Sequence, residues 1–206
     1  MSTRSIQPIR AVFFDFGGVL AEEGFRKGLM VIAQVNGLDP DEFFDIAADL
    51  AYETGYVIGK TDESQYWDTL REKTGIKGSD DQLRNQLLNR FVLRQWMVDI
   101  VHRTKDRVEL VAVLSDQTNW LDELNDRDGF FNEFHHIFNS YHIGKGKRDP
   151  TLFTDVLNHL NIRPEEAVFI DDNEGHISRA RSVGLNAIHF IGKDDLMEQL
   201  AKFGLL

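Results

Sequence analysis

A short apolar run near the start of the chain ends in an aspartate that is followed by two glycines. Residues 11–14 read AVFF, and Asp15, Phe16, Gly17 and Gly18 come next. A parallel strand that is buried on both faces has this continuous apolar character. The glycines indicate a tight turn or a close approach to the backbone. Ligands of open parallel sheets bind beyond the carboxyl ends of the strands, so Asp15 is a candidate functional carboxylate; the alternative is that it only caps a loop.

A second apolar run also ends in carboxylates. Residues 166–170 lead directly into Asp171 and Asp172. If this strand lies beside the first one, Asp15 and Asp171 meet at the same edge of the sheet. Mg²⁺ is usually held by one or two carboxylates, several waters and a substrate phosphate. The two runs therefore predict a Mg²⁺ site between two neighbouring strands.

Two more segments complete a recognisable series. Residues 108–114 form a third apolar run that ends at Ser115 and Asp116, and residues 144–150, GKGKRDP, form a basic loop that contains Lys147. Taken in order, the four segments resemble the motifs of the haloacid dehalogenase superfamily, most of whose members are phosphatases. The resemblance covers nearly the whole chain. It implies an α/β fold with a doubly wound parallel sheet.

The resemblance also implies a role for each motif. Asp15 would be the nucleophile, which forms an aspartyl phosphate that water then hydrolyses. Ser115 and nearby backbone N–H groups would bind the phosphoryl oxygens, and Lys147 would supply positive charge. Asp15, Asp171 and the backbone carbonyl of Gly17 would hold Mg²⁺. The predicted substrate is a small phosphorylated molecule.

One position departs from the pattern of the phosphatases in this superfamily. They usually carry a second aspartate two residues after the nucleophile, as general acid and base, and this chain has Gly17 there. The loss of a general acid costs about 10²–10⁴-fold for poor leaving groups. An activated ester, such as a sugar 1-phosphate or an acyl phosphate, tolerates that loss better. Glu22, Glu23 and Asp116 are the candidates for a replacement proton donor.

Other positions near the predicted phosphate site leave alternatives open. Gly18 and Asp116 belong to the substrate-binding motifs, but a carboxylate at position 116 would repel phosphate. Either the Asp116 side chain points away, or the site is tuned differently. His176 stands where related sequences often have asparagine. Asp172 is interpreted as a group that orients the site or as the N-cap of a helix that begins near Gly175, in preference to a direct metal ligand.

Between the first two strands the chain has helical character. The segments that begin at Asp39, Thr61 and Ser79 have the signatures of helix starts, and an earlier helix is predicted over about 25–36. We therefore predict a helical cap domain over residues 22–92 and an α/β core domain over residues 1–21 and 93–206. Such a cap would close over the active site and exclude water.

Composition restricts the remaining classes of function. The formal net charge is −11, which disfavours a nucleic-acid partner, and the chain has no cysteine. Residues 1–10 lack the apolar core of a secretory signal, and no run is long enough to span a membrane. A cytoplasmic protein is predicted, and the oligomeric state is left open. Two alternatives to the phosphatase are a 2-haloacid dehalogenase, which needs no metal, and a non-catalytic binding protein with the same fold.

Overall fold

The computed structural model describes residues 8–206, and within them the strands form one parallel sheet. The strands are β1 (Ala11–Phe14), β2 (Leu110–Ser115), β3 (His136–Asn139), β4 (Ala167–Asp171) and β5 (Asn186–His189). Their order across the sheet is β3-β2-β1-β4-β5, and every neighbouring pair is parallel. The predicted α/β fold is therefore confirmed. The sequence places the start of the second strand two residues too early, at position 108, and omits Ser115 from it.

The register of the sheet places the functional candidates at one edge. Phe14, at the end of β1, pairs with Val113 of β2 and with Ile170 of β4. The amide N–H of Asp15 continues this ladder by donating to the carbonyl of Ile170 at 2.9 Å. The carboxyl ends of β1, β2 and β4 are therefore level with one another. Asp15 directly follows β1, Ser115 is the last residue of β2, and Asp171 is the last residue of β4.

Ten α-helices connect the strands within residues 8–206. Five precede β2: α1 (Gly24–Val35), α2 (Pro40–Glu53), α3 (Glu63–Thr74), α4 (Asp80–Leu88) and α5 (Gln95–Lys105). Five follow it: α6 (Trp120–Asp128), α7 (Ser140–Ile143), α8 (Thr151–Leu160), α9 (Glu174–Ser182) and α10 (Lys193–Lys202). Short 3₁₀ turns lie at Tyr56–Ile58, Phe130–Glu133 and Pro164–Glu166. A short helix at α7 is absent from the expectations drawn from the sequence.

Helices cover both faces of the sheet. Alternate residues of β1 show this directly: Ala11 and Phe13 face a cluster that includes Leu152 of α8 and Ile177 of α9. Val12 and Phe14 belong to the opposite cluster, to which α5, α6 and α10 contribute apolar side chains. With both faces covered, every residue of β1 is buried, which explains why its sequence does not alternate.

The helical segment between β1 and β2 begins its helices where the capping signals predict. The Asp39 side chain accepts from the N–H groups of Asp41 and Glu42, and Ser79 forms a capping box with Gln82. Buried side chains of these helices belong to the same apolar cluster as one face of the sheet. The domain boundaries at 21/22 and 92/93 remain a prediction.

No helix in the described part of the chain has both the length and the apolar character that crossing a lipid bilayer requires. The prediction that residues 1–10 are not a secretory signal falls mostly on residues 1–7, which lie outside the described residues.

Candidate active site

Asp15 lies at the end of β1 with one carboxylate oxygen held by three donors. Its Oδ1 accepts hydrogen bonds from the N–H of Phe16 at 2.7 Å and from the Ser115 hydroxyl at 2.6 Å. The Lys147 ammonium lies 2.9 Å from the same oxygen. Oδ2 accepts no hydrogen bond from any residue in the range 8–206. Burial raises the pKa of Asp15; Lys147 opposes this shift, and Asp171 reinforces it.

Lys147 bridges the two strands that carry the carboxylates. Its ammonium is 2.5 Å from Oδ2 of Asp171, and its side chain is only 1% exposed. Although burial disfavours the charged form, Asp15 and Asp171 raise the pKa of Lys147 above its ordinary value. The basic loop therefore delivers a fully buried, protonated lysine to the centre of the site.

Asp171 is held from a second side by His176. The His176 Nδ1 lies 3.1 Å from Oδ2 of Asp171, and the N–H of Asn173 donates to Oδ1 at 2.7 Å. Burial disfavours ionisation of Asp171, but Lys147 and His176 together hold its pKa below the usual range. His176 therefore belongs to the site, although the sequence showed it only as a departure from the expected pattern.

Asp172 also reaches the site, and Gly18 makes room for it. A Cβ atom built on Gly18 would lie 1.9 Å from an Asp172 carboxylate oxygen, and Gly18 has a φ of +77°. Position 18 therefore requires glycine for both space and conformation. The N-cap interpretation of Asp172 is wrong, because the Asn173 side chain caps α9 by accepting from the N–H groups of Gly175 and His176.

Three carboxylates are therefore gathered at one point. One oxygen from each of Asp15, Asp171 and Asp172 lies within 4.8 Å of the other two. Burial raises the pKa of Asp172, and Asp171 adds to that shift. A single lysine does not balance three carboxylates, so the cluster has an excess of negative charge. Hard oxygen donors with excess negative charge fit Mg²⁺, which prefers such ligands.

Asp116 points away from this cluster. Its carboxylate accepts from the N–H of Lys147 at 2.8 Å and from the Tyr52 hydroxyl at 2.6 Å. The structure thus supports the first of the two alternatives drawn from the sequence. Asp116 fixes the basic loop and ties it to α2, and burial together with Asp116 raises the pKa of Tyr52.

Glu22 and Glu23 differ in their surroundings. Glu22 pairs with Arg94 and Lys27, whose hydrogen bonds lower its pKa to about 2. Glu23 lines the same cavity as Asp15 and caps α1 through Oε2, while Oε1 accepts no hydrogen bond from a described residue. Burial raises the pKa of Glu23 despite that capping. Of the three candidate proton donors, Glu23 alone combines access to the cavity with an unengaged carboxylate oxygen.

The site opens into a cavity of about 850 Å³ between the sheet edge and the helical segment. Asp15, Gly17, Ser115, Lys147 and Asp172 lie in the part of its wall that belongs to the sheet edge and the adjoining loops. Residues of α1 and α2 form the facing wall. Substrate-binding cavities commonly have volumes of roughly 300–1,000 Å³, so this one holds a molecule well beyond a phosphoryl group.

The structure brings together most of the site residues that the sequence singles out. Asp15, Ser115, Lys147 and Asp171 meet at the sheet edge, with Gly17 and Gly18 beside them, as the strand-end pattern predicts. Their catalytic and metal-binding roles stay predictions. Sequence reasoning missed the contact of Tyr52, because no motif includes it, and noted His176 near the site without assigning it the contact with Asp171.

The protein is an α/β protein whose parallel sheet has a carboxylate cluster and a buried lysine at the carboxyl ends of its strands. Comparison with known families agrees: the sequence matches the haloacid dehalogenase-like hydrolases over residues 9–184. The chain belongs to this family of hydrolases.

Curated relatives match either a short part of the chain or most of the chain at low identity. The chain is 39% identical over 67 residues to drimenol cyclase drtB of Aspergillus calidoustus and 32% identical over 62 residues to flavin mononucleotide hydrolase 1 of Arabidopsis thaliana. It is 22% identical over 218 residues to bifunctional epoxide hydrolase 2 of Mus musculus. These matches cover 32%, 30% and 94% of this chain, but only 13%, 25% and 38% of the relatives.

Solved structures share the fold over most of the chain. An enzyme of this family from Bacteroides thetaiotaomicron, in complex with magnesium and inorganic phosphate, has a TM-score of 0.71 and 22% identity, and the match covers 90% of this chain and 96% of that one. The L-2-haloacid dehalogenase of Xanthobacter autotrophicus has a TM-score of 0.64 and 16% identity, with 94% and 82% covered. At these identities the likeness extends to the fold alone.

Proposed function

We propose that this protein is a Mg²⁺-dependent phosphatase that hydrolyses a small phosphorylated metabolite through an aspartyl-phosphate intermediate. The observation that carries the proposal is the cluster of three carboxylates around Lys147 at the floor of a large cavity. The negative net charge favours a small molecule over a nucleic acid as substrate. A cysteine-free chain is compatible with the cytoplasm, which we propose as its location.

Asp15, Ser115 and Lys147 have different roles in the proposed phosphoryl transfer. Oδ2 of Asp15 is free of hydrogen bonds from described residues and attacks phosphorus, while Oδ1 is held in place by Ser115 and Lys147. The Lys147 ammonium offsets negative charge that builds up as the phosphoryl group transfers. Water then hydrolyses the aspartyl phosphate, which restores the Asp15 carboxylate and releases inorganic phosphate.

Mg²⁺ is the cofactor that fits the donor set. Asp15, Asp171 and the Gly17 carbonyl would hold it, with Asp172 as a further candidate ligand from the same cluster. When bound, the ion supplies positive charge that reduces the repulsion between Asp15 and the phosphate. The related Bacteroides enzyme was crystallised with magnesium and inorganic phosphate, which supports this assignment.

We expect Mg²⁺ to stabilise the protein in the absence of any substrate. At a concentration of about 100 times its dissociation constant, a ligand that binds only the folded state adds about 2.7 kcal/mol to the free energy of unfolding. Urea unfolding with MgCl₂ and with EDTA measures this difference. An Asp171→Asn variant should lose most of it, whereas Asp99→Asn, an exposed carboxylate on α5, should retain it. Equal stability in MgCl₂ and EDTA would refute the metal assignment.

Because position 17 is a glycine, we expect the acidity of the leaving group to control the rate of hydrolysis. Without the usual aspartate there, we propose that activated esters, such as sugar 1-phosphates, are preferred over simple alkyl phosphates. A comparison of glucose 1-phosphate with ethyl phosphate measures this preference. Equal kcat/KM values for the two would contradict it.

Turnover of a poor leaving group should depend on Glu23. We expect Glu23→Gln to lower kcat for ethyl phosphate about tenfold or more and to leave p-nitrophenyl phosphate within about twofold, because a nitrophenolate departs without a proton. The glutamine keeps a side-chain oxygen for capping α1. Glu22→Gln is the matched control, since Glu22 is engaged by Arg94 and Lys27. An equal loss for both substrates would show that Glu23 has only a structural role.

The dehalogenase alternative uses the same aspartate to displace halide and needs no metal. The retained cluster of carboxylates argues against it, because a reaction without a metal does not require three carboxylates, two of them buried, at one point. Halide release from 2-chloropropionate in the presence of EDTA would support the dehalogenase alternative. A non-catalytic binding protein would release neither halide nor phosphate, and beryllium fluoride would not stabilise it.

A further inference from the structure

The wall that faces Asp15 contains a continuous series of aromatic rings. Phe44 of α2 packs edge-to-face against Phe25 of α1, with ring centroids 6.3 Å apart. The ring centroids of Phe25 and of Trp120 in α6 are 6.4 Å apart. All three side chains line the cavity, and Phe25 and Phe44 are half-buried, so part of their surface remains accessible. Phenylalanine rings offer no hydrogen bonds to the hydroxyl groups of a sugar.

Two guanidinium groups beside these rings are already neutralised. Arg26 lies 4.3 Å above the ring of Phe44 and pairs with Asp41 at 2.7 Å. Arg148 lies 3.6 Å above the ring of Tyr52 and pairs with Asp49. Asp45 adds another carboxylate to the same wall. Both arginines beside these rings are therefore paired with carboxylates, while Arg179 of α9 also lines the cavity. Next to the rings themselves, the lining favours a flat neutral ring over a second anionic group.

Glycine at position 17 points independently to an acidic leaving group. A Cβ atom at this position would lie 3.3 Å from a ring carbon of Phe91 and 3.7 Å from the Gln117 amide nitrogen, so the nearest neighbours of position 17 are these two uncharged side chains. A phenol-type hydroxyl has a pKa near 10, well below that of an alkyl alcohol. An aryl oxygen can therefore depart as a phenolate without a proton donor.

We propose that the substrates are aryl phosphates, in which the phosphate is carried on a phenol-type hydroxyl of an aromatic ring. This inference rests on the phosphatase function proposed above. Asp15 forms the new O–P bond as the P–O bond to the ring oxygen breaks, and that oxygen keeps the electron pair and takes a proton from water. A second water cleaves the aspartyl phosphate and releases inorganic phosphate. The leaving ring packs against Phe25 and Phe44.

A series of four phosphates separates the contribution of the ring from that of the leaving group. Phenyl phosphate has an aromatic ring and an acidic leaving group. Benzyl phosphate has an aromatic ring on an alkyl oxygen, cyclohexylmethyl phosphate has neither feature, and glucose 1-phosphate is activated but has no aromatic ring. We expect kcat/KM for phenyl phosphate to exceed that for benzyl phosphate by about 10²-fold or more. Benzyl phosphate should exceed cyclohexylmethyl phosphate by about two- to twelvefold, the range of an aromatic contact. Phenyl phosphate should also exceed glucose 1-phosphate.

Variants of the aromatic wall test whether it recognises the ring. Phe44→Leu keeps an apolar side chain and removes the ring, so kcat/KM for phenyl phosphate should fall about two- to tenfold while that for glucose 1-phosphate stays within about twofold. Phe25→Leu should behave alike. Phe203→Leu, a half-buried phenylalanine outside the cavity, is the matched control and should change neither value. A purely structural effect would lower both substrates equally.

The outcomes distinguish the two levels of the proposal. Phosphate release from glucose 1-phosphate or benzyl phosphate that equals or exceeds release from phenyl phosphate would overturn the aryl assignment and leave the phosphatase function standing. Equal rates for benzyl and cyclohexylmethyl phosphate would overturn the proposal that the cavity wall recognises an aromatic ring. No release from any of the four, with the Asp15→Asn variant indistinguishable from the unaltered protein, would overturn the phosphatase function itself.

Discussion

Replacement of Asp15 by asparagine is expected to reduce phosphate release about 10⁴-fold or more, with no loss of the fold. The side chain keeps its size, so the hydrogen bonds from Phe16 and Ser115 to Oδ1 can still form. The amide is a far weaker nucleophile than the carboxylate, and an aspartyl phosphate cannot form on it. Steady-state release of inorganic phosphate from p-nitrophenyl phosphate, with Mg²⁺ present, measures the effect.

Two controls make this result interpretable. Asp99→Asn removes an exposed carboxylate of α5 and should leave the rate unchanged. Acid-quenched protein from a reaction with ³²P-labelled substrate should carry label at Asp15 in the unaltered protein and none in the variant. A variant that retains more than about one tenth of the activity would exclude Asp15 as the nucleophile.

Replacement of Lys147 by methionine is expected to have the largest effect on stability. The ammonium is the group that balances Asp15 and Asp171 in a region that is almost fully buried. Removal of one partner from a buried ionic cluster typically costs about 3–5 kcal/mol, because the remaining charges are left uncompensated. Urea unfolding in EDTA should show a decrease of that size in the free energy of unfolding. Activity should fall as well, since the site loses its buried cation.

The pH dependence of this variant has a definite sign. A carboxyl group whose pKa is raised by folding contributes stability below its unfolded pKa, and that stability is lost as the pH rises through its folded pKa. Burial already raises the pKa of Asp15 while Lys147 is present, so the variant should be destabilised more at about pH 8 than at about pH 5.

Lys145 provides the matched control in the same loop. It pairs with Asp155 near the surface, and its side chain is 30% exposed. Lys145→Met should cost less than about 1 kcal/mol, as is usual for surface ion pairs. If the two lysine variants were equally stable, the buried cluster would not have the electrostatic importance assigned to it here.

The strands and their terminal carboxylates could be predicted from the sequence because each strand is buried on both faces. Burial of both faces leaves uninterrupted apolar runs, such as residues 11–14, and a polar residue at the end of such a run stands out. The helix starts in the segment between β1 and β2 could also be predicted, because they depend on residues that are close together in the sequence. The side chain that caps a helix lies within three residues of the N–H groups that it satisfies, as Ser79 and Gln82 do.

The sequence did not settle the positions of two carboxylates, Asp116 and Asp172, whose decisive neighbours lie far away in the chain. Asp116 was open to two interpretations, and the decision came from Tyr52, 64 residues earlier in the chain. Asp172 was interpreted as an orienting group or a helix cap, but its carboxylate occupies space that only Gly18 leaves free. Neither contact has a signature in the neighbouring sequence.

The sequence by itself determined the order of the strands along the chain, the position of Asp15 and Asp171 at strand ends, and the absence of an aspartate at position 17. These are properties of local composition and spacing. Only the tertiary structure decided that Asp172 joins the cluster, that His176 supports Asp171, and that Phe25 and Phe44 face the site across a cavity. The reason is physical: a buried charge takes its partners, and a cavity its walls, from segments that meet only when the chain is folded.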